Sequence, residues 1–352
     1  MISKKCTAHG ESVFSVNVAL VLTLLLMINN TLQFKEYNYH LILNFFFYSL
    51  FLGFGCFANK VSIKKTILYV ILILWPLLSM VNDGGAVHAF GKSLKILIFI
   101  SLLHLNFNHK VPVKKILNYF INIHLLLFGY YLSVNNVDWG VFNLPRFSGG
   151  YGDSNYIAAI FLMLYIQFSY KRLFWLSIFT QSVSGFLSLF LSKIRVVGRF
   201  NIIFIVTSIF VIVMVGVGYL SEWNPSRSDL WIDHRLVSLY HRLHSSILGI
   251  NYVSDNYGVL GYVFGIGSGR SYEFADRVLH SYFTQTLVDH GFFFTLVLMI
   301  YASRVAISAG VRKEVVLFSI FMSLSIDLYS TLVFPLIVFI VRNLSKPVLE
   351  KN

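Results

Sequence analysis

The side chains best suited to chemistry fall in three short stretches, each beside a long apolar block. The first is Arg146-Phe-Ser-Gly-Gly-Tyr-Gly-Asp153-Ser-Asn155. Its glycines let the backbone approach a ligand closely. Asp153, Ser154 or Asn155 can cap a following helix, whose first amides, next to Arg146, suit an anion. A Gly-rich turn ending in a helix cap is the plainer reading of the same residues. The second stretch runs from Asp233 to Ile250. On a helix at about 100° per residue, His234, Arg235, Ser238, His241, Arg242 and Ser245 share one face, and Leu236, Tyr240, Leu243 and Ile247 lie opposite. Guanidinium groups on an acid-free face suit phosphate oxygens; the alternative is an amphipathic helix lying on a bilayer surface. The third is Gly265-Ile-Gly267-Ser-Gly269, followed by His280-Ser281-Tyr282 and Gly291. His280, at the mouth of an apolar segment, can accept a proton near neutral pH, or serve only as a structural histidine.

What must position these groups is a set of membrane helices. Of the 352 residues, 57% are hydrophobic and only 12% charged, about half the charged fraction of a soluble globular chain. The apolar residues come in blocks rather than in alternation, which argues against a β-barrel and for helices that satisfy their own backbone. A span needs about 20 apolar residues. Segments that fit lie near 13–30, 40–58, 65–81, 89–107, 115–135, 156–170, 200–220 and 281–301, with a short pair at 314–328 and 329–342. Between Arg172 and Ser192 a single span would put Lys193, Arg195 and Arg199 on the wrong side. The polar run Gln181-Ser182-Val183-Ser184-Gly185 therefore predicts a hairpin of two short helices turning there. The expected fold is an all-α polytopic integral membrane protein of about 12 transmembrane helices in one domain, 1–352. It carries a large external loop at 221–280 and a smaller one at 136–155.

The net charge of +13 follows from the same plan. Lys4 and Lys5, Lys60, Lys64 and Lys65, Lys110, Lys114 and Lys115, Lys171 and Arg172, and Arg304, Arg312 and Lys313 cluster between apolar blocks, as orientation signals do. That placement speaks against a nucleic-acid partner and puts both termini in the cytoplasm, with the apolar run from Val13 to Ile28 as a retained first span. Cys6 and Cys56 fall on the same side, where disulfides are rare. The long segment from Ser221 to Leu279 mixes six acids with five arginines and has no lysine, which suits an external loop. No metal site and no cofactor motif is present in the sequence.

Taken in order, Arg146, Gly149 and Asn155 opening a span, the Ser182 to Gly185 cluster, an arginine-bearing external loop, Gly265-Ile-Gly267 and His280-Ser281 with Gly291 resemble the O-antigen polymerase and O-antigen ligase superfamily of bacterial envelope enzymes. The resemblance covers about Pro145 to Gly291. One departure is Val183, where many relatives carry arginine. The resemblance implies a metal-independent glycosyl transfer at the periplasmic face of the inner membrane, with a glycan on undecaprenyl diphosphate as donor. In a polymerase the acceptor is another lipid-linked repeat unit. Arg146 and Arg242 would stabilise the leaving diphosphate, with Arg235 in the alternative place of Arg242, and His280 would be the base. Asp153, Asn155, His241, Arg270, Gly265 and Gly267 would contribute to holding diphosphate or glycan. A chain-length regulator and a flippase of the same pathway are the implied protein partners, and membrane lipids the surroundings.

Two other functions fit the same sequence. A ligase would hand finished polymer to a lipid A core on the same framework. A lipid-linked oligosaccharide flippase or other transporter would need ionisable residues inside spans, facing a cavity. The candidates for that are Lys92, Lys95, His104, His124 and Asp289.

Overall fold

A computed structural model describes residues 63–78, 86–104, 111–133, 138–139, 145–147, 154–194, 201–220, 234–267, 270, 272–275, 281–329 and 332–345. The expected spans near 13–30 and 40–58, both cysteines, Asp153, Gly149 and His280 lie outside the described residues, as does the side chain of Arg235. The architecture is all-α. In chain order the helices are α1 (Ile63–Leu78), α2 (Ala86–His104), α3 (Val113–Ser133), α4 (Ser154–Phe168), α5 (Lys171–Phe179) and α6 (Val183–Lys193). They continue with α7 (Ile202–Leu220), α8 (His234–Phe264), α9 (Tyr272–Ala275), α10 (Tyr282–Ser308), α11 (Lys313–Met322) and α12 (Val333–Asn343). Two pairs of short strands complete the structure. β1 (Val111–Pro112) runs parallel to β4 (Leu344–Ser345), and β2 (Asp138–Trp139) antiparallel to β3 (Pro145–Arg146).

The described residues carry fewer clear crossings than the twelve expected. Among the described residues only α3 and α10 reach the length and apolarity of a bilayer crossing, and α10 does so only across an internal break at Gly291. Several others, such as α6 and α12 at 11 residues each, stop far short of the roughly 20 a crossing needs. Loop breaks and internal glycines, invisible to a hydropathy count, divide the apolar blocks. The Arg172–Ser192 stretch behaves as its polar middle predicts: α5 ends at Phe179, Thr180 and Gln181 turn, and Ser182 opens α6. The rings of Phe174 and Phe186 meet across that turn, 6.0 Å between centroids.

The core centres on α4 and α12. The buried side chains of α4 cover every face, and Val333 to Ile340 of α12 are all buried. Pro335 is accommodated because it lies in the first turn of α12, where no intrahelical N–H bond is lost. Outer helices show one buried stripe instead. In α3 it is Val113, Ile116, Leu117, Phe120, Ile121 and His124, the i, i+3, i+4, i+7 spacing of one helix face. The opposite face is apolar as well: Leu126 is 74% exposed, and Phe190 and Ile212 of α6 and α7 are nearly as open.

One end of the bundle collects the basic groups. There Arg312 donates to the Ile166 carbonyl, Arg342 to that of His104, and Lys193 lies 5.4 Å from the centre of the Tyr165 ring. The Tyr170 hydroxyl reaches Asn118 of α3, close to Lys114 and Lys115. We term this the basic end. The turn between α5 and α6 lies at the other end of those two helices, the far end.

Candidate functional site

At the far end the first sequence stretch meets the polar turn. Phe147 N–H donates to the Phe179 carbonyl (3.0 Å), Arg146 Nε to the Thr180 carbonyl (3.1 Å), and Gln181 Nε2 to the Pro145 carbonyl (3.4 Å). The first two occupy carbonyls left over where α5 ends, and the third runs back from the turn to β3. Ser182 caps α6 by accepting from the Gly185 amide (3.1 Å) while donating to Asn155 Oδ1 (2.6 Å), which also accepts from Ser184 (3.0 Å). Gly185 permits this closeness, since a Cβ there would lie 3.0 Å from Ser182 Oγ and 3.2 Å from Leu162. Arg146, Asn155 and Ser182, far apart in sequence, thus form one hydrogen-bonded unit. Asn155 ties α4 to α6; its buried oxygen serves the scaffold.

The third stretch builds a crossing of α8 and α10. Both helices break at a glycine with positive φ, Gly258 (φ 53°) and Gly291 (φ 83°). Each break is a sharp turn. The Tyr262 hydroxyl donates to the Ile250 carbonyl and that of Tyr282 to the Thr295 carbonyl. Twelve or thirteen residues of straight helix would separate such partners by roughly 18–20 Å. At the break of α10, Ile266 N–H donates to the Val288 carbonyl (2.8 Å), Gly267 N–H to that of Asp289 (3.1 Å), and Trp75 Nε1 to that of His290 (2.8 Å). The carbonyls of Val288, Asp289 and His290 at the break are thus each paired, as a buried broken helix requires. A Cβ on Gly265 would overlap the backbone of Asp289 and His290, and one on Gly291 the backbone of Val263 and Phe264. Gly265, Gly267 and Gly291 act here as a backbone-on-backbone lock.

The second stretch is helical as its periodicity predicts, and the helix continues to Phe264. From Arg242 onward its polar side turns inward rather than to a surface. Ser245, Ser246, Ile250 and Val253 are buried, and Ser246 Oγ lies 3.1 Å from Thr284 Oγ1 of α10. Arg242 is half-buried and donates from Nη1 to the Ser325 carbonyl (3.2 Å). That turn also receives α10, because the Tyr282 amide donates to the Ser323 carbonyl (3.0 Å). Arg242 is therefore held where the chain enters α10 at Ser281, the neighbour of His280. His241, half-buried, precedes it on α8. The link to Arg146 runs through α6: Ser188 contacts Met322, which ends α11 just before Ser323. Arg270 stands apart from all of these. Its guanidinium is taken up by Glu273 (2.8 Å) and by the hydroxyl and ring of Tyr257.

The structure adds a group that the three stretches did not contain. Asp289, almost fully buried, accepts from Gln285 Nε2 (2.9 Å) and from Lys92 Nζ (3.4 Å). The neighbouring His290 is 3% exposed and, with Lys92, Lys95, Tyr282, Thr286 and Tyr329, lines a cavity of about 20 Å³, room for roughly one water. The four-residue spacing of Gln285 and Asp289 was the available sequence signal; the break that brings them to Lys92 was not legible. His124 and His104 are otherwise engaged. His124 donates to the Phe120 carbonyl among the rings of Phe120, Phe147 and Phe161, and His104 sits between the hydroxyls of Tyr69 and Tyr301.

Comparison with protein-family models, with curated proteins and with solved structures finds no match for this chain.

Proposed function

We propose that this chain is an integral membrane glycosyltransferase of the bacterial inner membrane, one that polymerises undecaprenyl-diphosphate-linked repeat units of O-antigen or a related surface glycan at the periplasmic face. The observation that carries the reading is the pairing of the separated motif pieces: Arg146 and Asn155 with the Thr180–Ser182 turn, and Gly265 and Gly267 with the Gly291 break. Arg242 stands beside the entrance to α10. The apolar outward faces of α3, α6 and α7 support a lipid environment, because a soluble chain rarely exposes contiguous apolar surface of that kind. On this reading the basic end is cytoplasmic and the far end periplasmic.

In the proposed reaction the acceptor hydroxyl oxygen bonds to the anomeric carbon of the donor as its bond to the diphosphate oxygen breaks. The hydroxyl proton passes to a base, a role we assign to His280. The lipid diphosphate leaves with the bonding electrons, and Arg242 and Arg146 stabilise its growing charge. An arginine fixed through a backbone carbonyl is already oriented when that charge develops. The test is the lipopolysaccharide ladder of a strain lacking the chain, complemented with wild-type, R242A or H280A. We expect core bearing a single repeat in the deletion and in both variants, at unchanged protein level. Full-length polymer in both variants would overturn the assignment, and bare core with polymer retained on the carrier would make the chain a ligase.

The Lys92–Asp289 pair and His290 favour a second reading, transport of a lipid-linked oligosaccharide, since buried ionisable groups at a broken helix are what transporters use. Lipid-linked single units trapped on the cytoplasmic face of the deletion strain would establish it.

A further inference from the structure

A groove of about 570 Å³ opens at the basic end between α4, α6 and α11, lined by Tyr165, Ile166, Ser169, Lys193, Arg312 and Glu314. Two cations face it without a carboxylate within 4 Å among the described residues. Lys193, exposed, rests over the Tyr165 ring, 5.4 Å from its centre. Arg312 spends one amine, Nη1, on the Ile166 carbonyl (3.0 Å) and on Ser169 Oγ (3.3 Å). Ser169 holds a left-handed backbone (φ 57°), a conformation that costs a non-glycine residue energy and recurs at binding sites. It places a hydroxyl donor beside the guanidinium. Glu314, the one acid in the lining, sits in the first turn of α11, where the helix dipole accounts for it.

We infer that this groove binds the phosphate of an anionic phospholipid headgroup. A phosphate suits the planar guanidinium, the ammonium and the serine hydroxyl together. The exposed apolar side chains of Leu187 and Phe190 on α6, the helix that ends at Lys193, give an acyl chain a surface to follow, which a free phosphate would not use. Basic pockets between helices on the cytoplasmic side recognise lipid headgroups by this chemistry. The inference rests on the membrane reading but not on glycosyl transfer.

Purified protein in detergent should retain phosphatidylglycerol in native mass spectrometry, and phosphatidylcholine at least about tenfold less. K193Q should lower phosphatidylglycerol occupancy severalfold, and E314Q should raise it, a gain that a misfolded variant cannot produce. Equal retention of the two lipids, or a K193Q variant that binds as wild-type does, would overturn the inference. Displacement of the lipid by millimolar inorganic phosphate would overturn it too, by making the groove a site for free phosphate. Release of the chain from membranes by alkaline carbonate is the separate outcome that would remove the membrane reading itself.

Discussion

The α8–α10 crossing and the α5–α6 turn solve the same problem in opposite ways. Both are places where a helix breaks inside an apolar bundle and leaves polar backbone groups to be satisfied. At the crossing the central partners are themselves backbone: the amides of Ile266 and Gly267 serve the carbonyls of Val288 and Asp289, and Trp75 and Thr295 add side-chain donors to those of His290 and Gly291. At the turn most of the work falls to side chains, with Arg146, Gln181, Ser182, Ser184 and Asn155 all committed. Backbone against backbone needs glycine and tolerates no substitution. Side chains against backbone tolerate change one bond at a time, and of those at the turn Arg146, Gln181 and Ser184 are only half-buried, where a ligand can meet them. The difference suggests that the glycines of the third stretch are there for architecture and the polar residues of the first for both architecture and function.

The largest expected effect would break the crossing itself. G265A or G291A places a methyl group into facing backbone at a positive φ, and the loss should exceed about 4 kcal/mol. Detergent-solubilised fluorescence chromatography should show little monodisperse protein, and a normal peak for both would refute the lock. Next in size is K92M, beside the crossing. It strands a buried carboxylate and should cost about 3 kcal/mol, the low end for a buried pair because 22% of the Lys92 side chain is exposed. The double variant K92M/D289L should regain most of the wild-type melting temperature. A normal ladder in that stable double variant would retire the transport reading, and a lost ladder at wild-type stability would promote it.

At the turn, S182A removes a helix cap and one of the two donors to Asn155. It should cost about 1 kcal/mol and shift the unfolding midpoint by a few degrees, with Ser184 keeping Asn155 in place. A loss as large as that of G291A would erase the contrast between the two regions. The smallest effect concerns the surface beside the crossing. The hydrogen bond from Arg270 holds the Glu273 carboxyl below the usual carboxylate range, with that from Tyr252 acting the same way. A depressed folded pKa means that the tie contributes fully above the unfolded value of about 4.3 and fades as pH falls through the folded one. The side-chain carbon resonance of Glu273 should titrate below that of the other glutamates, and R270A should move it back to the ordinary range.

Much of this was legible in the chain. The all-helical class follows from long apolar blocks with few charges, because only helices satisfy so apolar a backbone locally. The break between α5 and α6 followed from five polar residues and the basic loop after them. The helix from His234 through Ile250 followed from its periodicity. The number of crossings was not legible: a hydropathy run measures apolar length, and it does not register that Gly291 breaks the helix within the run at 281–301. Nor was the inward turn of the polar side of α8, since periodicity tells which residues share a face and not what that face meets.

Composition and spacing, then, determined the helical class, the polar turn and the residues able to meet an anion. These are properties of a residue and its near neighbours along the chain. Only the tertiary structure decided that Lys92 faces Asp289, that Arg270 is spent on Glu273 while Arg242 is held at the head of α10, and that Gly265 meets the backbone of Asp289 and His290. Those pairings depend on where two broken helices cross. That crossing is set by the close approach of backbones distant in sequence, which no local pattern encodes.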